Sequence, residues 1–118
     1  MRIALQSTDE VHRHLARKQA ETFGVAVDVL FPKDPPPDDG YDAVILDLDH
    51  WDPSRRDAVL ADLLAGPPPW RVVVVSHNLR PKEARALRRR QIAVFKVVGS
   101  RVFRALCAPV DAAARLTA

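Results

Sequence analysis

The chain has 118 residues, of which 47% are hydrophobic and 28% are charged, and its formal net charge is +3. This length provides one ordinary hydrophobic core and predicts a single domain over residues 1–118. No apolar run approaches the ~18 residues of a membrane span, and one cysteine cannot form an internal disulfide, which favours a cytoplasmic protein. The mild positive charge permits an acidic protein or a nucleic acid as partner but demands neither.

The first part of the chain alternates apolar runs with a helical segment. Residues 2–6 predict a strand. The residues after it are of types that favour helix N-caps: Ser7, Thr8 and Asp9. Apolar residues at helical spacing then predict a helix that stops at Gly24, and residues 25–30 predict a second strand. His12 and His14 do not share a helix face, and we expect both to be exposed to solvent.

A proline-rich segment, FPKDPPPDDG at residues 31–40, comes next. Its four prolines exclude a helix, because each proline removes a backbone donor and clashes with the preceding turn. In polyproline geometry ten residues span about 31 Å, whereas the return crossing between parallel strands needs about 22 Å. The segment can therefore join two parallel strands without a helix, and we expect part of one sheet face to stay uncovered and apolar.

The remainder of the chain repeats the alternation of strand and helix. DAVILDL at residues 42–48 predicts a strand, and Asp52-Pro53 opens a helix that stops before Gly66. The further predicted elements are a strand at 71–76, a helix at 81–90, a strand at 92–98 and a helix at 100–116. Continuous apolar strands separated by helices imply a parallel sheet with both faces covered, which is the doubly wound α/β class.

Polar side chains collect where the predicted strands end. Asp47 and Asp49 lie at the carboxyl end of the predicted third strand, and Ser76 ends the fourth. Doubly wound sheets place ligands and chemistry at these carboxyl ends of their strands. Helix caps and turns favour the same residue types, so the position fits either a chemical site or a polar strand-to-helix turn.

The order of elements resembles the receiver domain of two-component response regulators over essentially the whole chain. YDAVILD is similar to that family's third strand, which ends in the phosphoacceptor aspartate. RVVVVS is similar to its fourth strand, which ends in a hydroxyl residue, and AVF to its fifth strand, which carries an aromatic switch residue. The resemblance implies the flavodoxin-like receiver fold, a five-stranded sheet of order 2-1-3-4-5, here with the proline-rich loop in place of the helix between strands 2 and 3.

The resemblance also implies roles for single residues. It places Asp47 at the phosphoacceptor position, Ser76 at the hydroxyl that contacts the phosphoryl group, and Phe95 at the aromatic switch. No metal site is predicted, and the weak candidates for metal ligands are Asp9, Asp47 and Asp49; the alternative for Asp9 and Asp49 is a role as cap or turn residues. No cofactor is expected, and Mg²⁺ is implied only if Asp47 is a working phosphoacceptor.

Several positions depart from the family pattern. The family ends its first strand with two acidic residues that help to hold Mg²⁺, and here Ser7 and Thr8 stand there, which should weaken the metal strongly. The fifth strand should end in Lys-Pro, but Val-Gly occupies 98–99. Lys96 is expected either to reach Asp47 as a salt-bridge partner or to point outward through a loosely covered face. The pattern is that of a degenerate receiver.

The predicted helix at 81–90 is strongly basic, with six cations among residues 80–90. It lacks interleaved aromatic residues that would stack on bases, which disfavours a nucleic-acid interface. The same helix belongs to the usual signalling face of receivers. Arg85, Arg88 and Arg89 are therefore candidates for a protein-partner surface, with a simply solvated face as the alternative.

Together these patterns predict an atypical receiver domain that acts in signal transduction by binding a protein, without aspartate phosphorylation and without enzymatic turnover. One alternative is a functional receiver that a histidine kinase phosphorylates on Asp47, and another is a small basic nucleic-acid-binding protein. A homodimer is also predicted, through the uncovered sheet face, because pairing two basic helices would bring like charges together.

Overall fold

The computed structural model describes residues 1–32, 40–66 and 71–107. Its elements are β1 (Arg2–Gln6), α1 (Glu10–Phe23), β2 (Ala26–Leu30), β3 (Ala43–Asp47), α2 (Pro53–Ala65), β4 (Arg71–Val75), α3 (Pro81–Arg89), β5 (Ala93–Phe95) and α4 (Ser100–Cys107). Most of the proline-rich segment and the predicted extension of the last helix to residue 116 lie outside the described residues. No helix in these described ranges is long and apolar enough to cross a membrane.

The five strands form one parallel sheet in the order β2-β1-β3-β4-β5, which confirms the predicted topology. Successive strand residues point to opposite faces of the sheet, and each face has its own apolar cluster. Ile45 and Val73 pack under α1 and α4, whereas Val44 and Val74 pack under α2 and α3. Burial on both faces explains why these strands are continuous apolar runs rather than alternating ones.

The ends of α1 follow from the residues that flank it. Asp9 is the N-cap and accepts a hydrogen bond from the backbone N–H of His12. Gly24 ends the helix with a φ of 66°, a left-handed conformation in which glycine carries no steric penalty. Its backbone N–H bonds to the carbonyls of Ala20 and Glu21. Both predicted boundaries of this helix are confirmed.

The fifth strand is shorter than predicted. It spans Ala93–Phe95 rather than 92–98, and the backbone carbonyl of Phe95 accepts the last bond from β4, from Ser76 N at 2.9 Å. The chain then turns over residues 96–99 and returns to the sheet, because Val98 is fully buried in the cluster under α1 and α4. Val98, an apolar residue beyond the end of the strand, therefore anchors the turn. The sequence pattern could not distinguish such a residue from a continuation of the strand.

The sheet face that was expected to be bare and apolar carries a polar cluster instead. Arg2 Nη2 donates to Asp28 Oδ2 at 2.7 Å, and the Tyr41 hydroxyl donates to the same oxygen at 2.9 Å. The Arg2 guanidinium also lies over the Tyr41 ring, 4.7 Å from its centroid. The hydrogen bond from Arg2 lowers the pKa of Asp28, which keeps the carboxylate ionised. These side chains lie over β1 and β2 on the side of α2 and α3.

Large exposed hydrophobic side chains in the described ranges lie elsewhere: Met1, Val11, Phe31 and Val97. Strand alternation directs Met1 and Phe31 toward the α1 side of the sheet. Val11 lies on α1, and Val97 follows β5. The expectation of an exposed apolar face is therefore wrong for the described part of the molecule. A homodimer through that face would lack the apolar burial that was its predicted driving force.

Candidate functional site

The site is the edge of the sheet where β1, β3 and β4 end. Asp47 is the last residue of β3, and its side chain is fully buried. Ser7 follows β1 directly and is also fully buried, whereas the next residue, Thr8, is exposed. The polar strand ends predicted from the sequence therefore do meet at one edge, but they divide into two separate hydrogen-bonded groups.

The first group surrounds Asp47. Ser7 Oγ donates a hydrogen bond to Asp47 Oδ2 at 2.7 Å, and His12 Nδ1 lies 2.8 Å from the same oxygen. Ser7 Oγ in turn accepts a bond from the backbone N–H of Asp9 at 3.0 Å. The other carboxylate oxygen of Asp47 is buried and has no hydrogen-bond partner in the described structure. A serine and a histidine thus occupy the surroundings of the aspartate.

His12 is the functional residue that the sequence interpretation missed. It was expected to be exposed, but it is only 6% exposed and contacts the buried carboxylate. His12 shares its helix face with Ala16 and Ala20, four and eight residues later, and all three are buried. That i, i+4, i+8 series was visible in the sequence and could have placed the imidazole over the sheet. The other histidine of α1, His14, does not belong to this face and is exposed, as predicted.

Asp9 positions His12 by capping the helix. Its Oδ1 accepts the His12 backbone N–H at 3.0 Å, and its Oδ2 is 4.0 Å from His12 Nδ1. The hydrogen bond from the His12 amide lowers the pKa of Asp9, against the opposing effect of partial burial. The predicted cap is confirmed, and it fixes the first turn of α1 against the end of β3.

We expect Asp9→Ala to lower the free energy of unfolding at pH 7 by about 1 kcal/mol, because the first turn loses its cap. A carboxyl with a lowered pKa in the folded state stabilises the protein above its unfolded pKa of about 3.9, and this contribution is lost as the pH falls through the folded value. The difference between the two proteins should therefore shrink in acid. Urea unfolding at a series of pH values measures it, with Asp9→Asn as the control that keeps a cap acceptor. A difference in the free energy of unfolding between the native protein and Asp9→Ala that stays constant down to pH 2 contradicts the role of Asp9 as an ionised cap.

The second group joins the ends of β3 and β4. Asp49 Oδ1 accepts hydrogen bonds from Ser76 Oγ at 3.2 Å and from the backbone N–H of His77 at 3.0 Å. Thr8 Oγ1 donates to the backbone carbonyl of Asp49 at 3.4 Å, and Ser76 Oγ accepts from Asn78 N. Asp49 acts here as a turn residue that ties two strand ends together. The Ser76 hydroxyl donates to Asp49 and not to Asp47.

Lys96 lies past the end of β5 and is exposed, so its outward orientation is the correct one of the two predicted. The polar contacts of Asp47 come from Ser7 and His12 instead. Val98, at the position of the family's lysine, is fully buried among apolar side chains. Phe95 is half-buried and packs against the cluster under α1 and α4.

The arrangement has consequences for cations at this edge. The described part of the chain holds no group of three or more His, Cys, Asp and Glu side chains placed to bind a metal ion. His12 Nδ1 lies 2.8 Å from Asp47 Oδ2, at the place where a cation would have to approach this oxygen. The predicted partner residues Arg85, Arg88 and Arg89 are exposed on α3, which is anchored to the sheet by the fully buried Leu87.

Comparisons with known proteins bear on the fold. No family model matches the chain, and no curated protein matches it. Among solved structures it is similar to a response regulator receiver protein from Burkholderia phymatum, with a TM-score of 0.55 and 20% sequence identity. The alignment covers 90% of this chain and 91% of that one. The chain therefore has the receiver fold.

Proposed function

We propose that this chain is an atypical response-regulator receiver domain that acts in signal transduction by binding a protein partner, independently of phosphorylation on Asp47. The receiver fold supports a role in signalling. Independence from phosphorylation is inferred from the surroundings of Asp47. Its side chain is fully buried, and one of its oxygens contacts both Ser7 and His12.

Phosphoryl transfer to a carboxylate requires an accessible oxygen and positive charge that neutralises the incoming group. Asp47 Oδ2 already accepts from Ser7 and contacts His12, and its Oδ1 is buried. Ser7 and Thr8 bring no carboxylate that could hold Mg²⁺, which binds through carboxylates and water. These contacts disfavour a phosphoacceptor role for Asp47, and we propose a binding role with neither a cofactor nor enzymatic turnover.

The partner surface in this proposal is the exposed side of α3. Arg85, Arg88 and Arg89 form no ion pair with other described residues, whereas Glu83 on the same helix pairs with Arg56 of α2 at 3.2 Å. Cations without partners attract a negatively charged surface and speed its association. We therefore propose an acidic protein as the partner. A nucleic acid is less favoured, since the described surface of α3 carries no aromatic residue for base stacking.

We expect acetyl phosphate, and beryllofluoride with millimolar Mg²⁺, to leave the protein unchanged, because Asp47 is enclosed. Intact-mass spectrometry under mild conditions reports any phosphoryl adduct, and backbone amide NMR spectra report any shift at the ends of β3 and β4. A typical receiver treated in parallel shows that the reagents are active. Asp47→Asn is the matched variant: an adduct or a beryllofluoride shift that appears in the native chain and disappears in this variant would establish the phosphoacceptor alternative.

A further inference from the structure

β5, the last strand, forms one edge of the sheet. β5 pairs with β4 alone in the described part of the chain. The carbonyl of Phe95 points toward β4, where it accepts from Ser76 N. Backbone polar groups alternate between the two sides of a strand, so Val94, the middle residue, directs its N–H and C=O outward. Unpaired groups of this kind are a template on which another strand can add.

Two grooves flank this edge. One, the α4 groove, has a volume of about 380 Å³ and lies between β5 and α4, where Ala93, Phe95 and Arg104 are among its lining residues. The other, the α3 groove, has a volume of about 500 Å³ and is lined by Val94, the half-exposed Val97 and, again, Phe95. Strand alternation turns the side chain of Val94 away from the side that Ala93 faces. Of these two residues, Val94 lines only the α3 groove and Ala93 only the α4 groove, so each side of the strand offers an apolar side chain to one groove.

The rims of both grooves are cationic. Arg88 and Lys96 line the α3 groove, Arg104 lines the α4 groove, and Arg101 lines both. All four are exposed, and none of them forms an ion pair with another described residue. A second copy of this chain added at the edge would bring these like charges together, which disfavours it. An acidic partner would find complementary charge along the whole edge.

We propose that the outer edge of β5 binds an extended acidic peptide segment, which adds to the sheet as a strand and places successive apolar side chains in the two grooves. This inference deepens the proposed function, since it assigns the mode of recognition and the chemistry of the partner. In strand addition, main-chain hydrogen bonds provide affinity, and pockets on alternate sides select the side chains. A helix would present its apolar residues on one face, whereas these grooves lie on both sides of a strand.

The probe is a synthetic array of fluorescein-labelled peptides of the pattern Glu-Asp-X-Z-Asp-Glu, with X and Z varied over Val, Ile, Leu, Phe and Tyr. Fluorescence anisotropy with the full chain measures binding, and we expect peptides with two apolar central residues to bind best. The same peptides methylated on the central backbone nitrogens keep their side chains but lose main-chain donors. We expect this change to weaken binding at least about tenfold.

Protein variants test the edge directly. Val94→Pro removes the outward N–H, a change that edge strands tolerate, whereas Val94→Thr keeps the donor and the side-chain shape. Arg101→Glu reverses a charge at both grooves, and Arg17→Glu makes the same change at an exposed position on α1. We expect Val94→Pro and Arg101→Glu each to weaken peptide binding at least about tenfold. Val94→Thr and Arg17→Glu should change the affinity by no more than about twofold. Circular dichroism confirms that each variant is folded.

Three results would overturn the inference. The first is that the native chain binds no peptide of the array, and the second is that the methylated peptides bind as well as the others. The third is a dimer in sedimentation that Val94→Pro abolishes, which would assign the edge to a second copy. Any of them leaves the proposed function standing, provided that Asp47 remains unmodified by acetyl phosphate. Conversely, phosphorylated Asp47 together with binding of the acidic peptides would contradict the proposed function and retain the edge assignment.

Discussion

His12→Ala should lower the free energy of unfolding by about 1–3 kcal/mol, the cost of leaving a buried polar group without one of its hydrogen-bond partners. The imidazole Nδ1 lies 2.8 Å from Asp47 Oδ2, and both side chains are almost completely shielded from water. Without the imidazole, Ser7 is the one side chain of the described residues that donates to this carboxylate. A buried polar atom that loses its partner is costly in a protein interior. Urea denaturation at neutral pH measures the loss.

Two further variants separate this effect from the loss of packing. Asp47→Asn in the His12→Ala background tests whether the two residues act through their contact: the double variant should lose less stability than the sum of the two single losses. His14→Ala, on the exposed side of the same helix, should change stability by less than about 0.5 kcal/mol. If the two single losses simply add in the double variant, the contact between imidazole and carboxylate is not what stabilises the site, and the two substitutions act independently.

Phe103→Ala should cost about 3–5 kcal/mol, the range for truncating an aromatic side chain in a packed core. Phe103 is the largest fully buried side chain of the described structure, and its ring stacks on Phe23 with centroids 6.1 Å apart. It therefore joins α4 to α1 above the sheet. Since a typical domain is stable by roughly 5–15 kcal/mol in total, this one substitution should lower the melting temperature severely. Differential scanning calorimetry measures the shift.

The chain offers a matched control for this substitution. Phe31 is 45% exposed, and its ring contacts the guanidinium of Arg13, with 4.8 Å between the guanidinium carbon and the ring centroid. Phe31→Ala removes the same atoms from a surface position and should cost no more than about 1 kcal/mol, the value of an exposed cation–π contact. Equal losses for the two variants would show that α4 is not packed on α1 as described.

The parts of the fold that the sequence predicted are those that depend on local chemistry or on burial of whole strands. Continuous apolar runs predicted the parallel sheet, Asp9 and Gly24 marked the ends of α1, and Asp47 was placed at a strand end. Each of these follows from a few adjacent residues. The strand order came from the family resemblance, and the structure has the same order.

The parts that could not be predicted depend on contacts between residues far apart in the chain. The register of β1 and β2 places Asp28 opposite Ala4, the next residue after Arg2 on the same face, and Tyr41 comes from the segment just before β3. His12 reaches Asp47, 35 residues later, because the capped turn of α1 lies over the end of β3. Sequence periodicity predicts which side of an element is buried, but not which polar group it meets there. The first of these contacts overturns the expectation of an apolar face, which rested on the missing helix between the second and third strands.

The closure of Asp47 determines how long a signal through this domain would last under the proposed function. A phosphorylated receiver stores its signal in a covalent bond, so the lifetime of the message is the lifetime of that bond. With the carboxylate enclosed by Ser7 and His12, the message lasts only while a partner stays bound. Residence times of protein complexes range from milliseconds to days and are set mainly by the dissociation rate. Such a domain reports how much partner is present at each moment and keeps no memory of an earlier stimulus.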